Sequence, residues 1–141
     1  MATKNSVVAR RSGCPLNASV EMLGDRWSLL IIRDMMLFGY RTFKELLNSR
    51  ERIATNILAD RLKRLENYEI ISSVPDPLDG RKFIYSLTPK GLGLAPVLTE
   101  MVLWAATHEE TENQALVHLI KKDKQKFISE VRARWSSPSR T

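Results

Sequence analysis

The sequence predicts a mainly α-helical fold with one small β-hairpin, a winged helix-turn-helix with added N- and C-terminal dimerisation helices. The first observation is an almost uniformly apolar helix followed by a short helix with a capping box. The second is an amphipathic helix with a polar outer face, which begins after a short turn. The third is a pair of β-branched or aromatic runs around a turn that contains Pro and Gly. Elements in this order indicate a winged helix-turn-helix.

Composition limits the class of protein. A chain of 141 residues with 43% hydrophobic content predicts one globular domain with a real core. The net charge of +6 favours an anionic partner: nucleic acid first, with an acidic protein or a membrane surface as weaker alternatives. No run approaches the ~18 apolar residues of a membrane span, and the N-terminus lacks a signal-peptide core. We therefore expect a cytoplasmic protein that does not contact membranes.

The chain divides into four predicted stretches. They are a mobile basic arm (1–13), the winged helix-turn-helix domain with a dimerisation helix (14–108), a C-terminal amphipathic helix (109–135) and a disordered tail (136–141). Within the second stretch, Pro15 suits the first position of a short helix and Gly24 suits its end. This first helix has a stripe of Leu16, Val20 and Leu23.

The next two helices form the predicted scaffold. Residues 27–38 are apolar nearly all round, which predicts a buried central helix that ends at Gly39. Thr42 and Glu45 then have capping-box spacing, in which each side chain accepts a backbone N–H that the helix leaves free. A short helix over residues 43–48 is predicted to follow.

Residues 54–67 are predicted to form the recognition helix. Ala54, Leu58, Leu62 and Leu65 recur at i, i+4, i+8 and i+11 and should form the buried stripe. The side chains predicted to lie over base edges are Thr55, Asn56, Ala59, Asp60 and Lys63. Arg61 and Arg64 are predicted near the flanking phosphates, and Thr42 and Lys44 of the short helix are further predicted DNA-binding residues. The role of Asp60 stays open, because a carboxylate either accepts from a cytosine amino group or repels the DNA backbone. Taken alone, such a helix is usually an ordinary amphipathic surface helix.

The hairpin is the predicted wing. Residues 70–75 and 82–87 are the two strand-like runs, and the turn between them should carry Arg81 and Lys82 at its tip. An arginine at a wing tip can enter a narrow minor groove, whereas Asp79 is expected to brace Arg81. The alternative is a solvated turn without a DNA contact.

The helix after the wing is too apolar to face water. It is predicted over residues 88–108, with Thr88 as N-cap, and Pro96 should bend it. We predict that the residues of the dimer interface are Leu94, Val97, Leu98, Met101, Val102, Trp104 and Ala105. The alternatives are a monomer core, or a ligand pocket lined by tryptophan and methionine side chains. A further amphipathic helix is predicted over residues 114–131, with an apolar stripe of Leu116, Leu119, Ile120, Phe127 and Val131.

With these residues in place, the chain resembles the HxlR-type branch of bacterial winged-helix transcriptional regulators, within the MarR-like group. The motifs are CPLNASVEMLGDRW at 14–27, RTFKELL at 41–47, ILADRLKRLE at 57–66 and YSLTPKG at 85–91. The resemblance implies a homodimer that represses or activates promoters, with the helix after the wing in the dimer interface. Glu69 is a departure, because such proteins often have Gly between the recognition helix and the strand. Residues beyond about 109 have no firm counterpart.

Cys14 is the only cysteine, so it cannot form an internal disulfide. It occupies an N-cap position, and Arg10 and Arg11 lie just upstream; both features stabilise a thiolate. The resemblance adds that some HxlR-type regulators sense oxidants or electrophiles through a cysteine near this position. Cys14 is therefore a candidate redox sensor for an electrophile or another small-molecule effector, and the alternative is a small buried hydrophobe.

The leading functional hypothesis is a sequence-specific regulator that binds double-stranded DNA as a homodimer on an inverted-repeat operator. The alternative is a non-catalytic winged-helix module that binds an acidic protein. No nucleophile, base and orienting group can be assembled, so we expect no enzyme. His108 and His118 lack matched zinc-ligand spacing, so we expect neither a metal nor a cofactor.

Overall fold

The computed structural model describes residues 10–136. These residues form eight helices and one two-stranded antiparallel hairpin, in agreement with the predicted fold class. In chain order the elements are α1 (Pro15–Leu23), α2 (Ser28–Phe38), α3 (Phe43–Leu46), α4 (Thr55–Asn67), β1 (Ile71–Asp76), β2 (Asp79–Leu87), α5 (Pro89–Leu92), α6 (Ala95–His108), α7 (Gln114–Lys122) and α8 (Lys124–Ser136). The predicted arm and tail lie outside the described residues, except for residues 10–13 and for Ser136, which belongs to α8.

The core forms around α2 and the apolar stripe of α4. Leu58, Leu62 and Leu65 of α4 are fully buried against the core, as their spacing predicts. Ala54 is exposed, so its placement in this stripe is wrong: it is the N-cap residue and has extended backbone angles. Phe38 at the end of α2 is also largely exposed. The central helix therefore keeps one end in contact with solvent.

Several predicted boundaries need correction. The short helix α3 ends at Leu46, because a tight turn replaces its last two predicted residues. The single bent helix predicted over residues 88–108 is two helices, α5 and α6, interrupted at Gly93 and Leu94. Pro96 lies in the first turn of α6, where its missing N–H has no intrahelical partner to lose.

The predicted C-terminal helix is also two helices, α7 and α8. They separate at Asp123, whose side chain accepts the backbone N–H of Lys126 at 3.0 Å and so begins α8. Leu119 is half exposed rather than part of the buried stripe. The buried side chains of α8 are Ile128, Val131 and Trp135, and they join the same core as α2 and α4.

The hairpin is longer than predicted, and its tip is different. β2 begins at Asp79, so Arg81 lies within the strand, and Leu78, which is 96% exposed, lies at the turn. The strands pair from Ile71 opposite Leu87 outwards, with an irregularity near the turn. An isolated bridge between Thr42 and Ile84 joins the start of α3 to the wing.

The departure at Glu69 is accommodated by a left-handed backbone, with φ of 61°. The Ile70 N–H donates to the Leu65 carbonyl and the Glu69 N–H donates to the Glu66 carbonyl, which is a Schellman ending for α4. Glycine adopts this conformation without steric cost, whereas a side chain does not. The turn therefore has the geometry that a glycine would give, and Glu69 bears the strain.

Candidate nucleic-acid interface

The outer face of α4 carries the predicted base-reading residues. All five are exposed, namely Thr55, Asn56, Ala59, Asp60 and Lys63. Their spacing follows from the burial of Leu58 and Leu62, because an amphipathic helix that buries one stripe must present the other. Contact between these residues and DNA stays a prediction.

A groove of about 570 Å³ lies between α3 and the wing. Thr42 and Lys44 line one side of it, and Arg81 and Lys82 of β2 line the other. The groove thus joins predicted DNA-contacting residues from two distant parts of the chain. Three cations face one carboxylate, Asp76, so the groove suits an anionic backbone.

The capping box at the start of α3 is confirmed. The Glu45 N–H donates to the Thr42 hydroxyl at 3.1 Å, and the Glu45 carboxylate accepts the N–H groups of Thr42 and Arg41. Thr42 is therefore held rigidly at the edge of the groove. The predicted brace of Arg81 by Asp79 is also present, with Nε to Oδ1 at 3.2 Å, while the guanidinium remains 91% exposed.

Arg61 differs from its predicted role. Its side chain is only 20% exposed, and its Nε lies 3.1 Å from Oδ1 of Asp25. Asp25 also accepts the N–H groups of Trp27 and Ser28 at 2.8 and 2.9 Å, so it caps the central helix α2. A second contact joins Arg61 to Asp60. The guanidinium predicted near a phosphate instead holds the recognition helix against the start of α2.

A second ion pair near α4 was not predicted. Arg33 of α2 makes a two-pronged contact with Glu51, with both N···O distances at 2.8 Å, and also contacts Asp34. Glu51 lies in the turn just before α4, and it accepts the hydroxyl of Ser49. No local pattern predicts this pair, because its members are 18 residues apart along the chain. In contrast, an Asp just before α2 is a helix-start signal that can be recognised along the chain.

The pKa values of the Glu51 and Asp34 carboxyl groups shift in opposite directions. The Arg33 guanidinium lowers the pKa of Glu51 to about 2, with the Ser49 hydroxyl helping. Burial raises the pKa of Asp34 above its ordinary value, and Arg33 only partly offsets this. Arg33 therefore stabilises the ionised form of Glu51, whereas its contact with Asp34 does not outweigh the cost of burial.

Cys14 is exposed at the N-cap position of α1. Its thiol does not complete a hydrogen bond to the helix, but the N–H groups of Asn17 and Leu16 lower the pKa of Cys14. The Arg11 backbone N–H and the Asn17 amide hydrogen-bond to Glu21 and lower the pKa of that carboxyl. Burial as a small hydrophobe, the alternative for Cys14, is wrong, because Cys14 is exposed.

The predicted dimer residues of α6 face two directions. Val97, Met101 and Trp104 are exposed along one stripe, which we call the outer stripe. The predicted residues that are only partly buried are Leu94, Leu98, Val102 and Ala105. Leu16 and Val20 of α1 are exposed too. Neither these two side chains nor the outer stripe of α6 packs into the core of the chain. Apolar surface of this extent is typical of an interaction site.

Within residues 10–136, no helix is long and apolar enough to cross a membrane. The same residues contain no group of three or more His, Cys, Asp or Glu side chains placed to hold a metal ion.

Comparison with known proteins gives consistent matches. A model of the HxlR-like helix-turn-helix family matches residues 22–113. The HTH-type transcriptional regulator YodB of Bacillus subtilis (strain 168) is 40% identical over 93 residues, which are 65% of this chain and 82% of YodB. The reduced form of YodB has a TM-score of 0.57 at 38% identity, covering 71% of this chain and 98% of YodB. The oxidised redox regulator HypR has a TM-score of 0.58 at 25% identity, covering 70% and 100%.

The Arg33–Glu51 pair generates a test of stability. Glu51→Gln should lower the free energy of unfolding at pH 7 by about 1–2 kcal/mol, less than the full pKa shift implies because the side chain is partly solvated. The folded-state pKa of Glu51 is depressed to about 2 from 4.5. Its stabilisation is therefore present above pH 4.5 and lost as pH falls towards 2. The variant should lose less stability than the wild type across this window, measured by denaturant unfolding at each pH.

Glu112→Gln is the matched control. Glu112 also pairs with an arginine, Arg50, but its side chain is 83% exposed, against 27% for Glu51. Its removal should change stability by less than about 0.5 kcal/mol. Parallel pH profiles for wild type and Glu51→Gln would contradict the assignment.

Proposed function

The chain belongs to the HxlR-like helix-turn-helix family of transcriptional regulators, and from this membership we propose that it binds double-stranded DNA sequence-specifically as a homodimer. The observation that carries the proposal is the exposed polar face of α4 together with the cationic groove between α3 and the wing. Short polar side chains on a helix suit base edges in the major groove, and the groove cations suit phosphates.

Helix α4 and the wing would contact different parts of the DNA. Asn56 near the start of α4 has an amide that can pair with an adenine edge. Arg81, with its guanidinium almost fully exposed on the wing, would contact the phosphate backbone or a narrow minor groove. Arg61 is left out of the contacts, because Asp25 holds it.

Homodimerisation is proposed through the outer stripe of α6. Val97, Met101 and Trp104 recur at i, i+4 and i+7, so a second copy of the helix can pack along them. A two-fold axis there would relate two recognition helices. Each dimer would then bind an inverted-repeat operator whose half-sites lie one DNA turn, about 34 Å, or a multiple of it apart.

We propose that Cys14 makes the regulator responsive to oxidants or electrophiles. The support is its exposure, its lowered pKa and the likeness of the chain to YodB, of which reduced, diamide-treated and quinone-bound forms are known. The thiolate is the nucleophilic form of cysteine. In a dimer, two Cys14 thiols could also join as one disulfide, each losing one proton and one electron to the oxidant.

The first test separates base reading from backbone binding, on an operator selected from a random duplex pool. Asn56→Ala should reduce the ratio of operator to random-DNA affinity about tenfold, because one specific hydrogen-bonding pair is lost. Arg81→Ala should weaken binding to both duplexes about equally, and should lessen the salt dependence. Fluorescence anisotropy at several salt concentrations measures both effects.

Arg132→Ala is the control for Arg81→Ala, because it removes an exposed arginine of α8 that does not line the groove between α3 and the wing. It should leave both affinities within about twofold of the wild type. Equal affinity of the wild type for all duplexes would instead favour a protein-interaction module.

The second test concerns the dimer. Val97→Glu places a carboxylate in the proposed interface and should weaken dimerisation at least about 100-fold, because the charge loses its hydration there. Ser129→Glu adds the same charge at an exposed position of α8, outside the outer stripe, and should leave the dimer intact. Light scattering at micromolar concentration distinguishes the two. A monomeric wild type would refute the proposed assembly.

The third test concerns Cys14. Its alkylation by iodoacetamide should rise with pH around a midpoint below about 8.5, the ordinary pKa of a cysteine. Diamide should then change operator binding by the wild type but not by Cys14→Ser. A midpoint at or above 8.5, or operator binding that ignores diamide in both proteins, would remove the sensor proposal.

A further inference from the structure

The last two helices and the rest of the chain line an apolar cavity that is open on one side. The cavity measures about 280 Å³ and lies between α2, α6, α7 and α8. Its walls include Leu30 and Leu37 of α2, Leu98 and Val102 of α6, Leu116 of α7 and Phe127 of α8. Both closing helices lie beyond residue 113, where the match to the family model ends. This cavity is therefore built in part by a segment outside that match.

The cavity is separate from the proposed dimer interface. Leu98, Val102 and Ala105 of α6 face the cavity, and their spacing is i, i+4 and i+7. The outer stripe has the same spacing but begins one residue earlier, at Val97. At about 100° per residue, the two stripes point in directions about 100° apart. Only Met101 belongs to both, so a partner copy on the outer stripe leaves the cavity within each protomer.

The polar groups in the cavity wall are already paired. Arg33 and Thr99 are the polar side chains among the described residues that line the cavity. The Arg33 guanidinium contacts Glu51 and Asp34, and the Thr99 hydroxyl donates to the Pro96 carbonyl at 2.7 Å. A charged ligand would find no free counter-charge there, and its desolvation would be uncompensated. The wall therefore favours a neutral, apolar ligand.

We propose that this cavity is a binding site for a neutral, largely apolar organic molecule. Its volume lies above the roughly 150 Å³ of an apolar cavity that holds benzene. It lies near the lower end of drug-sized sites, which begin at about 300 Å³. A small, compact ring system therefore suits this volume.

Helix α8 connects the cavity to the wing. Beyond Phe127, Arg134 donates to the Met36 and Leu37 carbonyls at 2.7 and 3.0 Å, at the end of α2. The Trp135 ring lies 4.0 Å from the Arg41 guanidinium carbon. The Arg41 backbone carbonyl accepts the N–H of Tyr85 in the wing at 2.7 Å. A ligand that moves α8 would therefore shift the base of the wing and change DNA affinity, a step that rests on the proposed function.

The binding test uses the full chain and N-phenyl-1-naphthylamine, a neutral dye that fluoresces in apolar surroundings. Leu116→Trp fills the cavity from α7 and should weaken dye binding at least tenfold. Leu119→Trp adds the same ring at a half-exposed position on the same helix, outside the cavity, and should stay within twofold. Circular dichroism checks folding, and Leu30→Phe replaces Leu116→Trp if that variant unfolds.

Dye binding at the outer stripe is the competing outcome. Trp104→Ala should leave dye affinity within twofold, because Trp104 does not line the cavity. Loss of dye binding in Trp104→Ala, equal effects of the two tryptophan insertions, or no saturable binding to the wild type would each overturn the proposed site.

The coupling test adds the selected operator. Saturating dye should change the operator affinity of the wild type at least threefold. Trp135→Leu keeps an apolar side chain in the core, so it should keep dye binding and lose this effect, because it removes the aromatic contact with Arg41. Dye binding without any change in operator affinity would overturn the coupling alone. If no duplex is bound at all, the proposed function fails, while the dye titration still decides the cavity.

Discussion

Two arginine–carboxylate pairs determine how the recognition helix α4 lies on the central helix α2. Asp25 holds Arg61 of α4, and Arg33 of α2 holds Glu51 in the turn that leads into α4. The apolar stripe of α4 supplies most of the burial, but apolar contacts are not directional. Charge-assisted hydrogen bonds are directional, and a partly buried pair is costly to break on one side. The direction in which the polar face of α4 points therefore depends on these two pairs.

The sequence predicted what is local or periodic. Thr42 and Glu45 form the capping box because both members lie within one turn, and Leu58 and Leu62 are buried because their spacing repeats the helical period. The ion pair of Arg61 was missed for the complementary reason: Asp25 lies 36 residues away, and nothing along the chain shows that the two meet. An exposed arginine and a paired one have the same sequence pattern.

The helix and strand boundaries that were predicted wrongly depend on local hydrogen bonds. The periodicity of apolar residues does not report these bonds. Asp123 begins α8 by accepting the N–H of Lys126, which interrupts an otherwise continuous helical pattern. The wing extends to Asp79 because strand pairing continues into the turn, so Leu78 replaces Arg81 at the tip. The sequence predicted Lys44 and Arg81 as DNA-binding residues, but it did not predict the groove that they line. The shape of this groove depends on how the wing lies relative to α3.

Helix α6 shows how one element can serve three surfaces. Ala95 is buried in the core and also lines the cavity, Leu98, Thr99 and Val102 face the cavity, and Val97 and Trp104 face outwards. When a packed helix is displaced, the side chains that contact it must move with it, because close packing leaves little room for gradual deformation. A helix that is apolar on all these sides cannot shift at one surface without disturbing the others. A ligand in the cavity that displaces α6 would therefore also change how the two proposed protomers pack against each other.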